Sequence, residues 1–313
     1  MLEWKALGPA LERLFPANTF EAVPTEDEVH SKPGTEFPIS SLCSSPIERV
    51  AGRRNNADKL IERAAFEAMR EPRRGRVDLV VILDDLELEN HEKADQVTAE
   101  VRAAVLRHLD KPAFRSDRDL ERRTREALQR KVSFHLARPM IESWIFADPQ
   151  GPRNAGVAPQ MPVLLAPNRD PEDLLVEHPA YAIASEAECT CWQALPSDTP
   201  QQQKLKNKCR PAWIKAGGLR VRHPKAYLAW LCLSAGERNC THYQETVGGA
   251  QALRDLDWTA VLRRQEAVPF IRALVADVAD ALGQDPVTGP VPGVRAPLTD
   301  RFHLPRDPLL RNL

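Results

Sequence analysis

Two short apolar segments separated by helical patterns constrain the fold of this chain more than any other feature. Residues 77–83 and 131–137 are rich in apolar and β-branched residues, too short for core helices and bounded by charge, which is typical of buried strands. Amphipathic helical patterns cover 56–70, 95–109 and 117–131. Strands that alternate with helices predict an α/β fold, in which a mainly parallel sheet is flanked by helices.

Composition places the chain among ordinary globular proteins. With 313 residues, 42% of them apolar, it can bury a sizeable core. The formal net charge is −1, so any attraction to nucleic acid must come from local clusters of charge. No apolar run is long enough to span a membrane, and the N-terminus lacks the basic and apolar regions of a secretion signal, so we expect a cytoplasmic protein without a membrane partner.

The cysteines are too sparse for a disulfide scaffold, and we expect reduced, buried thiols. A zinc site at Cys189, Cys191 and Cys209 with His178 is the less favoured alternative, because Cys-x-Cys is not the spacing of the usual zinc knuckle. The six cysteines are Cys43, Cys189, Cys191, Cys209, Cys232 and Cys240.

The character of the sequence changes near residue 150. Residues 149–180 are rich in proline, helical patterns return between 224 and 282, and the chain from 286 onward is again Pro-rich with little periodicity. We therefore expect an α/β domain over 1–150, a loop-rich and then mainly helical region over 151–285, and an extended tail over 286–313.

Acidic side chains gather where the two predicted strands end. Asp84, Asp85 and Glu87 follow the first strand, His135 lies near the end of the second, and Glu142 lies on the helix predicted to follow it. Ligands of open α/β sheets bind at this end of the strands. Clustered carboxylates repel one another unless a cation holds them, and hard oxygen ligands suit Mg²⁺ or Mn²⁺. The pattern predicts a metal site for phosphoryl transfer or phosphodiester cleavage, with Asp84, Asp85 and Glu87 as metal ligands and Glu142 and His135 as catalytic residues.

Other interpretations of these residues stay open. Acidic residues after a strand also cap helices or lie in solvent. Asp85 with Glu87 has the Asp-x-Asp type of spacing, whereas Asp84 better fits the position directly after the apolar run. A lone histidine near a strand end is also typical of a hydrogen-bonded structural residue.

Several segments together resemble an uncharacterised prokaryotic family of TOPRIM-like proteins. They are "LDDLE", "FHLARPMIESWIFADP", "HPKAYLAWL", "HYQETVGGAQALRDLDW" and "PFIRALVADVADALG", and the resemblance spans most of residues 1–282. It implies a Rossmann-like TOPRIM fold and a Mg²⁺-dependent nuclease or nucleic-acid-processing subunit, of the kind found in topoisomerases, primases and phage-defence nucleases. It also implies an ATPase partner protein, which is often encoded beside such nucleases.

The chain departs from the family pattern at its start. TOPRIM domains open with an apolar strand whose final glutamate serves as general acid or base, whereas Met1 falls at the start of the first predicted helix, which carries Glu3 and Glu12. Either the strand lies upstream, or the chain lacks one catalytic group. The alternative function is therefore a catalytically inactive binding or regulatory subunit that works with a partner protein.

A basic stretch, residues 204–225, contains eight Lys or Arg residues and no acid. Such a block can neutralise phosphates of DNA or RNA, and Trp213 offers a face on which a base can stack. A solvated loop is the competing interpretation, and a small-molecule phosphohydrolase would need a compact pocket in its place. The expected phosphate contacts are Lys204, Lys206, Lys208, Arg210, Lys215, Arg220, Arg222 and Lys225.

Overall fold

The structure of the protein is a computed structural model. None of the helices in its described part has the length and apolar character that a membrane crossing requires. The described residues are 3–23, 41–52, 56–70, 77–181, 199–203, 220–232, 245–264, 267–291 and 308–313.

The two segments predicted as strands form a parallel pair. Strand β1 is Val80–Asp85 and strand β2 is Val132–Ala137, and these two make up the sheet in the described part of the chain. Their register runs from Val80 opposite Val132 to Asp85 opposite Ala137. The predicted combination of helices with a parallel sheet is therefore confirmed.

Helices surround the pair, and the predicted amphipathic segments become α3, α4 and α6 in the order below. In chain order the α-helices are α1 Gly8–Leu14, α2 Ile47–Val50, α3 Asn56–Ala68, α4 Ala94–Leu109, α5 Pro112–Ser116, α6 Arg118–Lys131, α7 Gly151–Asn154, α8 Pro224–Leu231, α9 Ala250–Arg254, α10 Trp258–Leu262 and α11 Pro269–Leu282. Segments of 3₁₀ helix are Leu42–Ser44, Leu88–Asn90, Ile141–Ala147, Pro171–Asp173 and Arg220–Arg222, and π-helical turns are Glu3–Leu7 and Glu245–Gly249.

Alternation along β1 divides the interior into two cores. Val80 and Ile82 pack into a core with α3 and α4, whereas Val81 and Leu83 pack into a core with α1 and α8–α11. Successive side chains of a strand point to opposite faces, so the sheet lies between these two cores. The second core contains residues from both sides of position 150.

The last described segment, 308–313, packs against β2. The backbone N–H of Arg311 donates to the Val132 carbonyl at 2.8 Å, and the Asn312 side chain bonds both backbone groups of Phe134. Leu310 and Leu313 are fully buried. This part of the predicted extended tail is therefore fixed by apolar burial and by an amide side chain, which proline content does not reveal.

Two local predictions were wrong. We expect a short strand over 18–24 from the sequence, but residues 18–23 form none, and the Phe20 N–H donates to the Glu12 carboxylate at 3.1 Å rather than to a neighbouring strand. The helix expected after Pro139 is the 3₁₀ segment Ile141–Ala147. All seven of its residues are buried, so it has no solvent-facing side of the kind that marks an amphipathic helix.

Candidate functional site

The chain segments that follow the two strands stay paired beyond the sheet. Leu86 N–H donates to the Ala137 carbonyl at 2.9 Å, and Glu87 N–H donates to the Pro139 carbonyl at 2.7 Å. We call this region, residues 84–91 with 137–142, the carboxyl edge. It contains four of the five residues predicted to form the metal site, and His135 lies just inside it.

Asp84 faces the core of α3 and α4 and is engaged by the backbone. Its Oδ2 accepts the N–H groups of Leu42 and Cys43 at 2.9 and 3.3 Å. Only 6% of Asp84 is exposed, and burial raises its pKa to about 6 although the Ser41 hydroxyl and these N–H groups act in the opposite direction. Asn90 adds bonds to the same segment, at Ile47 N and at two carbonyls of residues 43–45. Asp84 therefore fixes the segment 41–43 to the end of β1.

Asp85 leaves the strand on the opposite face. Its Oδ1 accepts the Ile141 N–H at 2.9 Å, which ties the end of β1 to the 3₁₀ segment that carries Glu142. The two adjacent aspartates diverge because alternate residues of an extended chain point to opposite sides. The geometry thus favours Asp85 over Asp84 as the residue that shares a region with Glu142.

Glu87 has a backbone conformation that residues other than glycine rarely adopt. Its φ is 60° and its ψ is 160°, a region in which a side chain is strained by about 1–3 kcal/mol. The N–H bond to Pro139 and an N–H donated by Asn90 to the Glu87 carbonyl hold it there. Strained residues concentrate at functional sites, which draws attention to this position.

Glu142 is buried at the start of a segment that neighbouring side chains hold rigidly. The Ser143 hydroxyl donates to the Arg138 carbonyl at 2.7 Å, and the Trp144 indole donates to the Glu172 carboxylate at 2.8 Å. A buried carboxylate requires compensation by hydrogen bonds or charge. The requirement applies to Glu142, because all seven residues of the 3₁₀ segment Ile141–Ala147 are buried.

His135 lies in the interior between β2 and α11. It is 1% exposed, and its Nε2 is 3.2 Å from Oδ2 of Asp277. Burial alone would raise the pKa of Asp277, but the contact with His135 and the charge of Arg311 lower it below the ordinary value. This geometry is that of a hydrogen-bonded structural histidine, the alternative that the sequence left open.

Three of the eight basic residues lie in the described part of the chain. Arg220 is buried with its guanidinium 4.6 Å from the centre of the Tyr181 ring, Arg222 pairs with Asp173 at 2.9 Å, and Lys225 lies on α8. Asp173 also lies 3.3 Å from His91, so Arg222 reaches the carboxyl edge. Outside the described residues lie Trp213, Lys204, Lys206, Lys208, Arg210 and Lys215.

Sequence reasoning missed His91, Arg138 and Asp173, which also gather here. Arg138 directly follows β2, so a basic residue at a strand end was the available signal. The pairing of Asp173 with residues from distant segments depends on the tertiary fold and leaves no local pattern.

The arrangement fits only some kinds of metal site. In the described part of the chain, no group of three or more His, Cys, Asp or Glu side chains is placed to hold a metal ion. An all-protein metal cage is therefore not supported by these residues. Mg²⁺ commonly uses only one or two carboxylates and keeps water or substrate phosphate as its other ligands, so Asp85 and Glu87 have the donor type that such a site requires.

The comparisons with protein-family models, with curated proteins and with solved structures found no match to this chain.

Proposed function

We propose that this protein is a TOPRIM-like, Mg²⁺-dependent nuclease or nucleic-acid-processing subunit, of the kind that acts in phage defence. The observation that carries the proposal is the meeting of Asp85, Glu87 and the Glu142 segment where two adjacent parallel strands end. Ligands of α/β sheets bind at this position, and carboxylates there suit a hard divalent cation.

Each carboxylate has a distinct role in this proposal. Asp85 and Glu87 would hold Mg²⁺ or Mn²⁺, and Glu142 would accept or donate the proton during phosphodiester cleavage. The ion supplies polarisation of the phosphoryl group and neutralises developing charge. Asp84 acts as a positioning residue, because its carboxylate is engaged by the backbone of residues 42 and 43.

Thermal unfolding with and without Mg²⁺ tests the metal site. A bound ion raises the melting temperature by mass action, so Asp85→Asn should abolish the increment while Asp84→Asn should retain it. Glu87→Gln should behave like Asp85→Asn. An equal increment in the wild type and in Asp85→Asn would show that the ion binds elsewhere and would remove the basis of the proposal.

The second candidate function is a catalytically inactive subunit that binds nucleic acid and works with a partner such as an ATPase. Two observations favour it: Asp84 is bound to backbone groups, and the described residues contain no three-ligand group. Incubation of end-labelled DNA and RNA with Mg²⁺ separates the candidates. Cleavage that Glu142→Gln abolishes supports the nuclease, whereas binding to the labelled strands without cleavage by the wild type supports the inactive subunit.

A further inference from the structure

A cluster of cationic side chains surrounds a single carboxylate beside the carboxyl edge. Asp173 receives the Arg169 guanidinium at 2.6 Å and the Arg222 guanidinium at 2.9 Å, one on each carboxylate oxygen. His91 Nε2 lies 3.3 Å from Asp173 without hydrogen-bond geometry, and the lowered pKa of His91, about 4, leaves its ring neutral at neutral pH, so this contact is not an ion pair. Three segments that are distant in sequence therefore meet at one carboxylate. They are the loop after β1, which carries His91, the segment 169–173, and the 3₁₀ turn Arg220–Arg222 that precedes α8.

Arg138 adds a fourth basic group to the cluster. Burial lowers the pKa of His91 to about 4, and the positive charge of Arg138 contributes to this shift. The same charge opposes the effect of burial, which raises the pKa of Asp170. Its Nε is buried and has no hydrogen-bond partner among the described residues. A buried guanidinium N–H without a partner is a donor for which a ligand oxygen would compensate.

The contacts that Asp173 makes are replaceable. Arg169, Asp173 and Arg222 each keep about a third of their side chains exposed, at 39%, 34% and 31%. Ion pairs of this exposure contribute little stability, because water screens them. A phosphate carries more oxygen acceptors than a carboxylate and matches the fork of an arginine, so it can compete for the same donors.

We propose that His91, Arg138, Arg169 and Arg222 form a binding site for a phosphate of a nucleic-acid backbone, and that Asp173 occupies these donors in the free protein. Assigning the phosphate to nucleic acid rests on the proposed function. The site itself needs no metal ion. His91 ends the 3₁₀ turn that Glu87 begins, so a phosphate held by the cluster would place the adjoining nucleic-acid strand near the carboxyl edge.

Titration in the presence of EDTA tests this site, with inorganic phosphate and a short single-stranded oligonucleotide as separate probes. Asp173→Asn removes the competing charge and should tighten binding of both probes by about threefold to tenfold, the range expected for loss of an exposed ion pair or two. The control is Asp110→Asn, which removes an aspartate that forms a more exposed ion pair with Arg115. Circular dichroism and melting curves establish that each variant is folded.

A second substitution keeps the test decisive. Arg222→Gln in the Asp173→Asn background should reverse the gain, whereas Arg115→Gln should not. The proposal is overturned if Asp173→Asn and Asp110→Asn bind alike, or if Arg222→Gln has no effect. A gain for inorganic phosphate alone would overturn the nucleic-acid assignment. Because EDTA removes divalent ions, failure here is distinguishable from failure of the Mg²⁺ site, which the melting experiment measures.

Discussion

The indole Nε1 of Trp144 donates a 2.8 Å hydrogen bond to the carboxylate of Glu172. The same carboxylate accepts the backbone N–H groups of Phe270 and Ile271 at 2.8 and 2.9 Å, in the first turn of α11. Burial and the charge of Asp170 raise the pKa of Glu172 to about 8, while the three donors favour its ionised form. One buried carboxylate thus joins the 3₁₀ segment that carries Glu142 to the N-terminus of α11.

Trp144→Phe should destabilise the protein more than Trp258→Phe. Both indoles are buried, but Nε1 of Trp258 has no hydrogen-bond partner among the described residues, so only Trp144→Phe removes a hydrogen bond. The difference in the free energy of unfolding should be about 0.5–1.5 kcal/mol, the usual contribution of a hydrogen bond between uncharged groups, because a pKa of about 8 keeps Glu172 mainly protonated at neutral pH. Urea unfolding measures it. Equal losses in the two variants would show that the bond to Glu172 contributes nothing.

Local patterns predicted the elements of this fold better than their connections. The β-branched segments became β1 and β2 in parallel, because short apolar runs between amphipathic helices leave few other ways to bury both faces. The 3₁₀ form of Ile141–Ala147 and the packing of residues 308–313 depend on contacts with distant segments. Neither feature produces a hydrophobic periodicity that could be recognised in the sequence.

For the candidate site, too, the sequence predicted local features better than contacts between distant segments. The sequence predicted that Asp84 and Asp85 follow the first strand, whereas they are the last two residues of β1 and take part in its ladder. The alternation of β1 then sends them to opposite cores. The cluster around Asp173 was beyond sequence reasoning, because its members are separated by loops of irregular structure.

Gly151→Ala should strongly destabilise the protein and displace the segment that carries Glu142. A Cβ on Gly151 would overlap the carbonyl oxygen of Ile145, which is backbone and cannot rotate away. We expect a loss of about 3 kcal/mol or more in the free energy of unfolding. Gly283→Ala is the control: its φ is 65° and nothing lies near its Cβ position, so it carries only backbone strain. A smaller loss for Gly151→Ala than for Gly283→Ala would contradict the close approach.

Asn312→Ala should destabilise the protein by removing two hydrogen bonds to the backbone of β2. The Asn312 amide accepts the Phe134 N–H at 2.9 Å and donates to the Phe134 carbonyl at 2.8 Å, so its removal leaves two buried backbone groups unpaired. The expected loss is about 2–5 kcal/mol. Faster amide exchange at Phe134 should accompany it. Asn18→Ala serves as a control, since Nδ2 of Asn18 has no partner among the described residues, and its loss should be smaller.

Stability should depend on pH through Asp84. Burial raises the pKa of this carboxyl from 3.8 to about 6, so the folded protein holds a proton that the unfolded chain releases between these values. The stabilisation is complete below about pH 4 and is lost as the pH rises to about 6, by about 3 kcal/mol at most, since one pKa unit corresponds to about 1.4 kcal/mol. Asp84→Asn keeps an acceptor oxygen for Leu42 and Cys43 but cannot titrate. Urea unfolding in EDTA from pH 4 to pH 7 should therefore show the wild type losing stability relative to Asp84→Asn, and parallel curves would mean that folding does not raise the pKa of Asp84.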